Sequence, residues 1–171
     1  MFQGKGYQGK FLRVNLSTGK IAKEFLPDDV ARNFLGGDGF LAYYLYNELK
    51  PKIDPLSPEN KIVIATGPLT GTLWPSSGRL SVIGKSPLTG IYGDASSGGF
   101  FAPELKYAGY DMIVIEGKAK SPVYIYIEND LVEVRSAKHL WGKDTYTTEG
   151  LIRKELFDED IKVACIGPAG E

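Results

Sequence analysis

The sequence predicts an α+β domain that is rich in β-strand, with two packed sheets, a few short helices, and antiparallel or mixed strands. Short apolar runs recur along the chain, and 21 glycines and 10 prolines punctuate it. This pattern is typical of strands joined by turns. The helical patterns interrupt groups of strands instead of alternating with them, which favours α+β over a doubly wound sheet. The 171 residues suffice for one core, so residues 1–171 are predicted to form a single domain.

A β-hairpin is predicted near the amino terminus. Residues 11–16 (FLRVNL) alternate apolar and polar side chains, as a half-buried strand does. Residues 17–20 (STGK) have the composition of a turn, and residues 21–25 would form the returning strand.

Two helices are predicted to follow the hairpin. Asp28 and Asp29 place negative charge and a capping oxygen at the start of a helix over residues 30–34. The sequence GGDG comes next, and in it Asp38 is predicted to cap a longer helix over residues 40–49. Because the Asp38 carboxylate would repel a phosphate, this turn is predicted to be structural and not an anion site.

The remaining elements are predicted mainly from apolar runs of strand length. One more helix is expected over residues 145–156, with Asp144 as its capping residue. Cys165 lies in the last apolar run and is predicted to be a small core residue. The predicted strands are residues 61–65, 79–83, 112–116, 123–127, 131–135 and 162–166, of which the fourth and fifth form a second hairpin.

Charge and composition exclude several classes of function. Twenty basic and 21 acidic residues give a formal net charge of −1, which does not support a nucleic-acid or membrane-surface role. No run approaches the roughly 20 apolar residues of a membrane-spanning helix. Residues 1–5 (MFQGK) lack the apolar core of a secretory signal. The protein is therefore expected in the cytoplasm, with no nucleic-acid or membrane partner.

The chain has a single cysteine, Cys165, and a single histidine, His139. A disulfide within the chain and an iron–sulfur cluster held by this chain alone are excluded, because each needs more of these residues. His139 has no positioned partner in the sequence and is predicted to be a hydrogen-bonded structural residue. Spacing does not bring any two of Glu104, Asp111 and Glu116 face to face, so no catalytic pair is predicted.

Residues 67–99 form the segment best suited to bind a ligand. Two loops rich in glycine, serine and threonine, residues 67–72 (GPLTGT) and 95–99 (ASSGG), flank Arg79. Glycine lets a backbone approach a ligand closely, free N–H groups and hydroxyls bind phosphate oxygens, and arginine adds a bidentate contact. The alternative is that these are ordinary turns and that Arg79 pairs with a carboxylate. Neither loop has the P-loop or dinucleotide-binding pattern, so local chemistry alone assigns no function.

The order of the motifs along the chain indicates a family. They resemble, in order and nearly in spacing, the amino-terminal domain of the aldehyde:ferredoxin oxidoreductase family. Each motif is modest alone, and their specificity comes from eight or more occurring in register across the chain. They are FLRVNLSTG (11–19), PLSPEN (55–60), GPLTGT (67–72), GKSPLTG (84–90), SGGF (97–100), PELKYAGYD (103–111), VIEGK (114–118), HLWGK (139–143) and IGPAGE (166–171).

This resemblance implies a cofactor, a reaction and partners. In the family, this domain is a base of two β-sheets on which a bis-pterin complex of tungsten rests, or of molybdenum in some relatives. Magnesium bridges the two pterin phosphates, and two mostly helical domains close over the cofactor and bind a [4Fe–4S] cluster. The enzyme oxidises an aldehyde with water to a carboxylic acid and passes the electrons to ferredoxin.

Carried over residue by residue, the resemblance implies five cofactor-binding residues. Arg79 matches the basic residue that contacts a pterin phosphate. Ser96 stands where a family member has an asparagine whose backbone carbonyl helps to bind magnesium, and a serine retains that carbonyl. Ser97, Gly98 and Gly99 match the loop that lets the pterin lie against the backbone. No catalytic residue is predicted in this chain.

The resemblance also implies that the chain is part of a longer enzyme. Many relatives carry a basic residue where this chain has Asp38. The family's cluster cysteines lie past residue 171, so this part alone is expected to be inactive. It is expected to expose an apolar and aromatic surface for the other domains and to be prone to self-association. Two alternatives stay open: the tungsten subunit of a benzoyl-CoA reductase-like enzyme, and a free-standing, non-catalytic binding module.

Overall fold

A computed structural model describes residues 6–170. This part of the chain contains eight strands, four α-helices and one short 3-10 turn. The strands are β1 (Lys10–Asn15), β2 (Lys20–Phe25), β3 (Lys61–Thr66), β4 (Leu80–Lys85), β5 (Tyr92–Ser97), β6 (Met112–Glu116), β7 (Val123–Glu128) and β8 (Leu131–Ser136). The helices are α1 (Asp28–Phe34), α2 (Asp38–Glu48), α3 (Phe101–Tyr107) and α4 (Thr145–Leu156), and the 3-10 turn is Pro168–Gly170.

Six strands form one mixed sheet in the order β2-β1-β6-β3-β4-β5. Neighbouring strands are antiparallel except β1 and β6, which run parallel with Leu12 opposite Ile113. The hairpin β7–β8 forms a second, two-stranded sheet. The predicted α+β class and both predicted hairpins are therefore confirmed.

The two faces of the large sheet are covered by different elements. On one face α1 and α2 pack against side chains such as Phe11 and Val63. On the other face α3 and the β7–β8 hairpin pack against Leu12, with Ile125 contributing from the hairpin. A third cluster, built on Ile152 of α4, extends the hairpin side. Alternating side chains of β1 and β3 thus supply both cores. The strand over residues 11–16 is therefore covered on both faces and not half-buried as predicted.

The predicted caps of the first two helices are wrong. Pro27 precedes α1 as its N-cap, so Asp28 contributes negative charge to the first turn but no capping hydrogen bond. Gly37 is the N-cap of α2, and Asp38 is the first helical residue, again without a side-chain cap. The turn is instead anchored through its backbone, because the Gly37 N–H donates to the Thr66 carbonyl at the end of β3 (3.0 Å).

The carboxyl-terminal segment confirms one prediction and contradicts two. Asp144 caps α4, since its Oδ1 accepts the Thr147 N–H (2.9 Å). Residues 162–166 do not form a strand, because no strand of the described chain pairs with them. Val163 packs beside the α4 cluster, whereas Cys165 is exposed and is not a core residue.

Residues 1–5, for which a start without a secretory signal is predicted, lie outside the described residues, as does Glu171. Within residues 6–170, no helix has the length and apolar character needed to cross a membrane. The cytoplasmic location stays a prediction.

Candidate functional site

Strands β4 and β5 bring Arg79 beside the glycine loop that follows β5. Arg79 immediately precedes β4, whose first residue, Leu80, pairs with Ser97. The segment before β4 and the loop after β5 are so close that a Cβ added to Gly78 would lie 2.6 Å from the Gly99 carbonyl oxygen. The residues that the motifs assign to the cofactor are therefore neighbours in space as well as in the family pattern.

The guanidinium group of Arg79 is exposed. Its side chain makes no ion pair or hydrogen bond with any carboxylate of the described chain. The backbone of the same residue is held, since the Arg79 carbonyl accepts a hydrogen bond from Thr70 Oγ1 (3.3 Å). A fixed backbone that carries an unpaired cation suits the binding of an anion from solution.

The backbone N–H and carbonyl of Ser96 point away from β4, toward the open edge of the sheet. The Ser86 N–H donates to the Ile91 carbonyl across the β4–β5 turn (2.8 Å), and hydrogen-bonded pairs alternate with non-hydrogen-bonded pairs along an antiparallel ladder. Counted along the register, Ser96 and Ser81 form a non-hydrogen-bonded pair. Because β5 is an edge strand, the Ser96 carbonyl faces the open side of the sheet, where a cation has access to it.

The loop after β5 presents bare backbone. A Cβ added to Gly98 or Gly99 would meet nothing within 4 Å, and Gly99 has a φ of +106°, a conformation that favours glycine. Both residues are exposed, as is Ser97, whose Oγ donates to the Gly98 carbonyl (3.2 Å). A flat ligand can therefore approach this backbone without meeting side chains.

The other predicted glycine-rich loop, residues 67–72, lies next to Arg79 and is hydrogen-bonded to its backbone. Thr70 Oγ1 accepts the Gly67 N–H (3.0 Å) inside the loop. The Tyr107 hydroxyl of α3 donates to the Gly71 carbonyl (2.7 Å). Sequence reasoning predicts this loop but misses Tyr107, because nothing local links a tyrosine to a loop so far away in the chain.

Two acidic side chains, Asp38 and Asp94, lie near Tyr92 at the start of β5. Burial, followed by the charges of Asp38 and Asp94, raises the pKa of Tyr92 above its ordinary value. The start of α2 reaches this region, since a Cβ on Gly37 would lie 3.5 Å from Ser81 Oγ. Two carboxylates near the start of α2 disfavour an anion there, which agrees with the structural role expected for the GGDG turn. Asp94 was not singled out by the sequence, because a lone aspartate between glycine and alanine carries no pattern.

The other titratable candidates have structural partners. His139 Nε2 lies 2.9 Å from Glu155 Oε2, so the prediction of a hydrogen-bonded histidine is confirmed. Asp111 pairs with Lys106, and Glu116 pairs with Lys61 and Arg13. These carboxylates are engaged with cations and not with one another.

Comparison with protein families gives a match over nearly the whole chain. The model of the aldehyde ferredoxin oxidoreductase N-terminal domain matches residues 11–171. The chain belongs to the aldehyde ferredoxin oxidoreductase family. Within this family it corresponds to the N-terminal domain, as the order of its motifs predicts.

Individual relatives support the same assignment. The tungsten-containing aldehyde ferredoxin oxidoreductase of Pyrococcus furiosus is 55% identical over 166 residues, which are 97% of this chain and 27% of that protein. The aliphatic sulfonate oxidoreductase, WOR-like subunit, of the same organism is 43% identical over 157 residues, 90% of this chain and 25% of that protein. This member of the aldehyde ferredoxin oxidoreductase family thus spans about 27% of the length of the tungsten-containing relative.

The fold of this family member also matches a solved structure. The active site complex BamBC of benzoyl coenzyme A reductase, in complex with 1,5 dienoyl-CoA, superimposes with a TM-score of 0.95 and 42% sequence identity. The match covers 97% of this chain and 25% of that chain.

Proposed function

We propose that this domain holds one side of a tungsten bis-pterin cofactor in an enzyme that oxidises aldehydes to carboxylic acids with ferredoxin as electron acceptor. The observation that carries the proposal is the exposed side chain of Arg79, which pairs with no carboxylate of the described chain and precedes a strand packed against the open Gly98–Gly99 loop. Membership of the aldehyde ferredoxin oxidoreductase family supports it, as does the name of the P. furiosus relative, which is tungsten-containing.

Each residue of the site has a defined role in this proposal. Arg79 binds a pterin phosphate, since its planar group presents two parallel N–H donors to phosphate oxygens. The Ser96 carbonyl would be a ligand of a magnesium ion held with the phosphates, because magnesium prefers oxygen ligands. Ser97, Gly98 and Gly99 supply the backbone against which the pterin lies. These residues bind and orient the cofactor and take no part in proton transfer.

The oxidation of the aldehyde and the transfer of electrons are assigned to the cofactor and to groups outside the described residues. When bound, the tungsten centre, or molybdenum in its place, supplies the two-electron oxidation of an aldehyde and water to a carboxylic acid and two protons. A [4Fe–4S] cluster held by segments outside this chain would supply the route for the electrons to ferredoxin. A cytoplasmic location, where oxidised ferredoxin would be available as the acceptor, is part of the same proposal.

The proposal is tested on the product of the whole open reading frame, made in a host that synthesises the pterin and is supplied with tungstate. Metal and pterin analysis of the purified protein is expected to give tungsten or molybdenum with a bis-pterin stoichiometry. Arg79→Ala is expected to retain less tungsten and pterin than the wild type, with both reduced in the same proportion. Lys20→Ala, an exposed cation on the opposite edge strand β2, is the matched control and retains both. A product that folds without metal or pterin would overturn the proposal and favour a non-catalytic binding module.

A second candidate function is that of a tungsten subunit in a benzoyl-CoA reductase-like enzyme. The close superposition on the BamBC complex favours it. Turnover assays on the loaded protein separate the two candidates, with an aldehyde and oxidised ferredoxin in one assay and 1,5-dienoyl-CoA with an oxidising dye in the other. Aldehyde oxidation alone supports the first function, and turnover of the thioester alone supports the second.

An apolar and aromatic surface flanks the candidate site. Its large side chains are exposed: Leu69, Leu73, Trp74, Phe100 and Tyr107. Clusters of this kind mark interfaces, because monomeric proteins rarely leave such patches in contact with water. We propose that the remaining domains of the polypeptide cover it, and that residues 1–171 alone self-associate. Sedimentation velocity at rising concentration measures this, and a monomer at every concentration would contradict it.

A further inference from the structure

We infer that Thr70 is a positioning residue for Arg79, a role that rests on the proposed phosphate contact of Arg79. Thr70 is only 7% exposed although it lies in a surface loop. Its Oγ1 accepts the N–H of Gly67 (3.0 Å) and donates to the carbonyl of Arg79 (3.3 Å). A single buried hydroxyl therefore joins the first residue of the loop after β3 to the last residue before β4.

The hydrogen bonds around Thr70 constrain where Arg79 can lie. The loop is closed a second time by the Gly71 N–H, which donates to the Ser77 carbonyl (3.2 Å). On its outer side Tyr107 fixes the Gly71 carbonyl (2.7 Å). Of these links, only the Thr70 hydroxyl bonds Arg79 itself. Because the Arg79 backbone is already held in place, Arg79 loses less conformational entropy when it binds a phosphate.

Thr70→Val tests the inference, since it preserves the shape of the side chain and removes the hydroxyl. Thr70→Ser keeps the hydroxyl, and Thr70→Ala removes it with no risk of overpacking. Thr66→Val is the matched control, because Thr66 is also buried and its Oγ1 donates to the Asp111 carbonyl (3.0 Å) instead of to Arg79. The variants are made in the whole open reading frame and loaded with tungsten and pterin.

The readout is the rate at which tungsten and pterin leave the loaded protein during dialysis against EDTA, measured beside the thermal midpoint. Thr70→Val and Thr70→Ala are expected to release both about fivefold faster than the wild type, the factor that corresponds to one net hydrogen bond of about 1 kcal/mol. Thr70→Ser and Thr66→Val are expected to release them at the wild-type rate. Release by Thr66→Val as fast as by Thr70→Val would overturn the inference, because loss of stability would then explain both.

A double-mutant cycle separates positioning from general support of the loop. In the Arg79→Ala background, Thr70→Val is expected to cause no further acceleration, because the group it positions is gone. An equal acceleration in both backgrounds would overturn the inference. Fast release by Arg79→Ala with slow release by Thr70→Val would overturn the inference and leave the proposed function standing. Wild-type retention by Arg79→Ala would refute the phosphate contact and, with it, the role of Thr70.

Discussion

The ammonium group of Lys106 lies 2.7 Å from the carboxylate of Asp111, and both side chains are almost fully buried. The same carboxylate accepts the N–H groups of Gln8 (3.0 Å) and Gly9 (2.7 Å). Lys106 also donates to the Gly6 carbonyl (2.6 Å). This pair therefore ties the segment before β1 to α3 and to the start of β6.

Asp111→Asn is expected to destabilise the domain by about 3–5 kcal/mol, because it leaves a buried ammonium without its counter-charge. Urea unfolding monitored by tryptophan fluorescence measures the change. Asp130→Asn is the control, since Asp130 pairs with Lys23 in an exposed position and exposed pairs contribute little. An Asp111→Asn midpoint equal to that of the wild type would show that the pair does not stabilise the fold.

Acid is expected to weaken the fold through Glu48. Burial alone would raise the pKa of this carboxyl, but hydrogen bonds from Arg13 and Lys61 outweigh it and hold the pKa below the ordinary 4.5. A carboxyl whose pKa is depressed in the folded state stabilises that state above pH 4.5, and this stability is lost as the pH falls through the folded pKa.

The thermal midpoint should therefore fall as the pH is lowered from about 5 to about 2.5, the range in which native-state carboxylates are protonated. Glu48→Gln should start from a lower midpoint and lose less over the same range. Parallel curves for the two proteins would exclude Glu48 as a source of the acid sensitivity.

Gly78→Ala tests the contact between the two segments of the candidate site. Its Cβ would lie 2.6 Å from the Gly99 carbonyl oxygen, so the backbone must shift, at a cost of about 1–3 kcal/mol of unfolding free energy. Gly98→Ala is the matched control, because its Cβ would meet nothing within 4 Å. Thermal unfolding compares the two, and equal midpoints would show that the segments are not in contact.

Gly150→Ala is expected to stabilise the domain by about 0.5–1 kcal/mol, because alanine loses less conformational entropy than glycine in a helix. Gly150 lies inside α4, and an added Cβ meets no atom within 4 Å. Gly90→Ala should have the opposite effect, since Gly90 has equally open surroundings but a φ of +71°. Denaturant midpoints that move in the same direction for both variants would contradict this account.

Arg79→Ala is expected to change the unfolding free energy by less than about 0.5 kcal/mol, as for exposed surface substitutions without special contacts. The Arg79 side chain is exposed and contacts no carboxylate of the described chain. Calorimetry of residues 1–171 measures the change. A large loss of stability would assign Arg79 a structural role and weaken its assignment to a phosphate.

The sequence pattern failed at particular elements for identifiable reasons. The residues of β5 (Tyr92–Ser97) are mostly small and polar and largely exposed, so this edge strand shows no apolar alternation. The short helix α3 (Phe101–Tyr107) has Pro103 in its first turn and too few residues to show a helical period. Residues 162–166 have the apolar pattern of a strand, but a strand also needs a neighbour to pair with.

By itself, the sequence determined the class of the fold, most of the central strands and the family. Apolar alternation is a local property, and the family is identified by the order of motifs along the chain. Only the tertiary structure decided that β1 lies parallel to β6, that Lys106 and Asp111 are buried together, and that Thr70 holds the backbone of Arg79. The outward direction of the Ser96 carbonyl likewise depends on the register of β4 and β5. These features depend on contacts between distant segments, and a local pattern of residue types does not specify which segments meet.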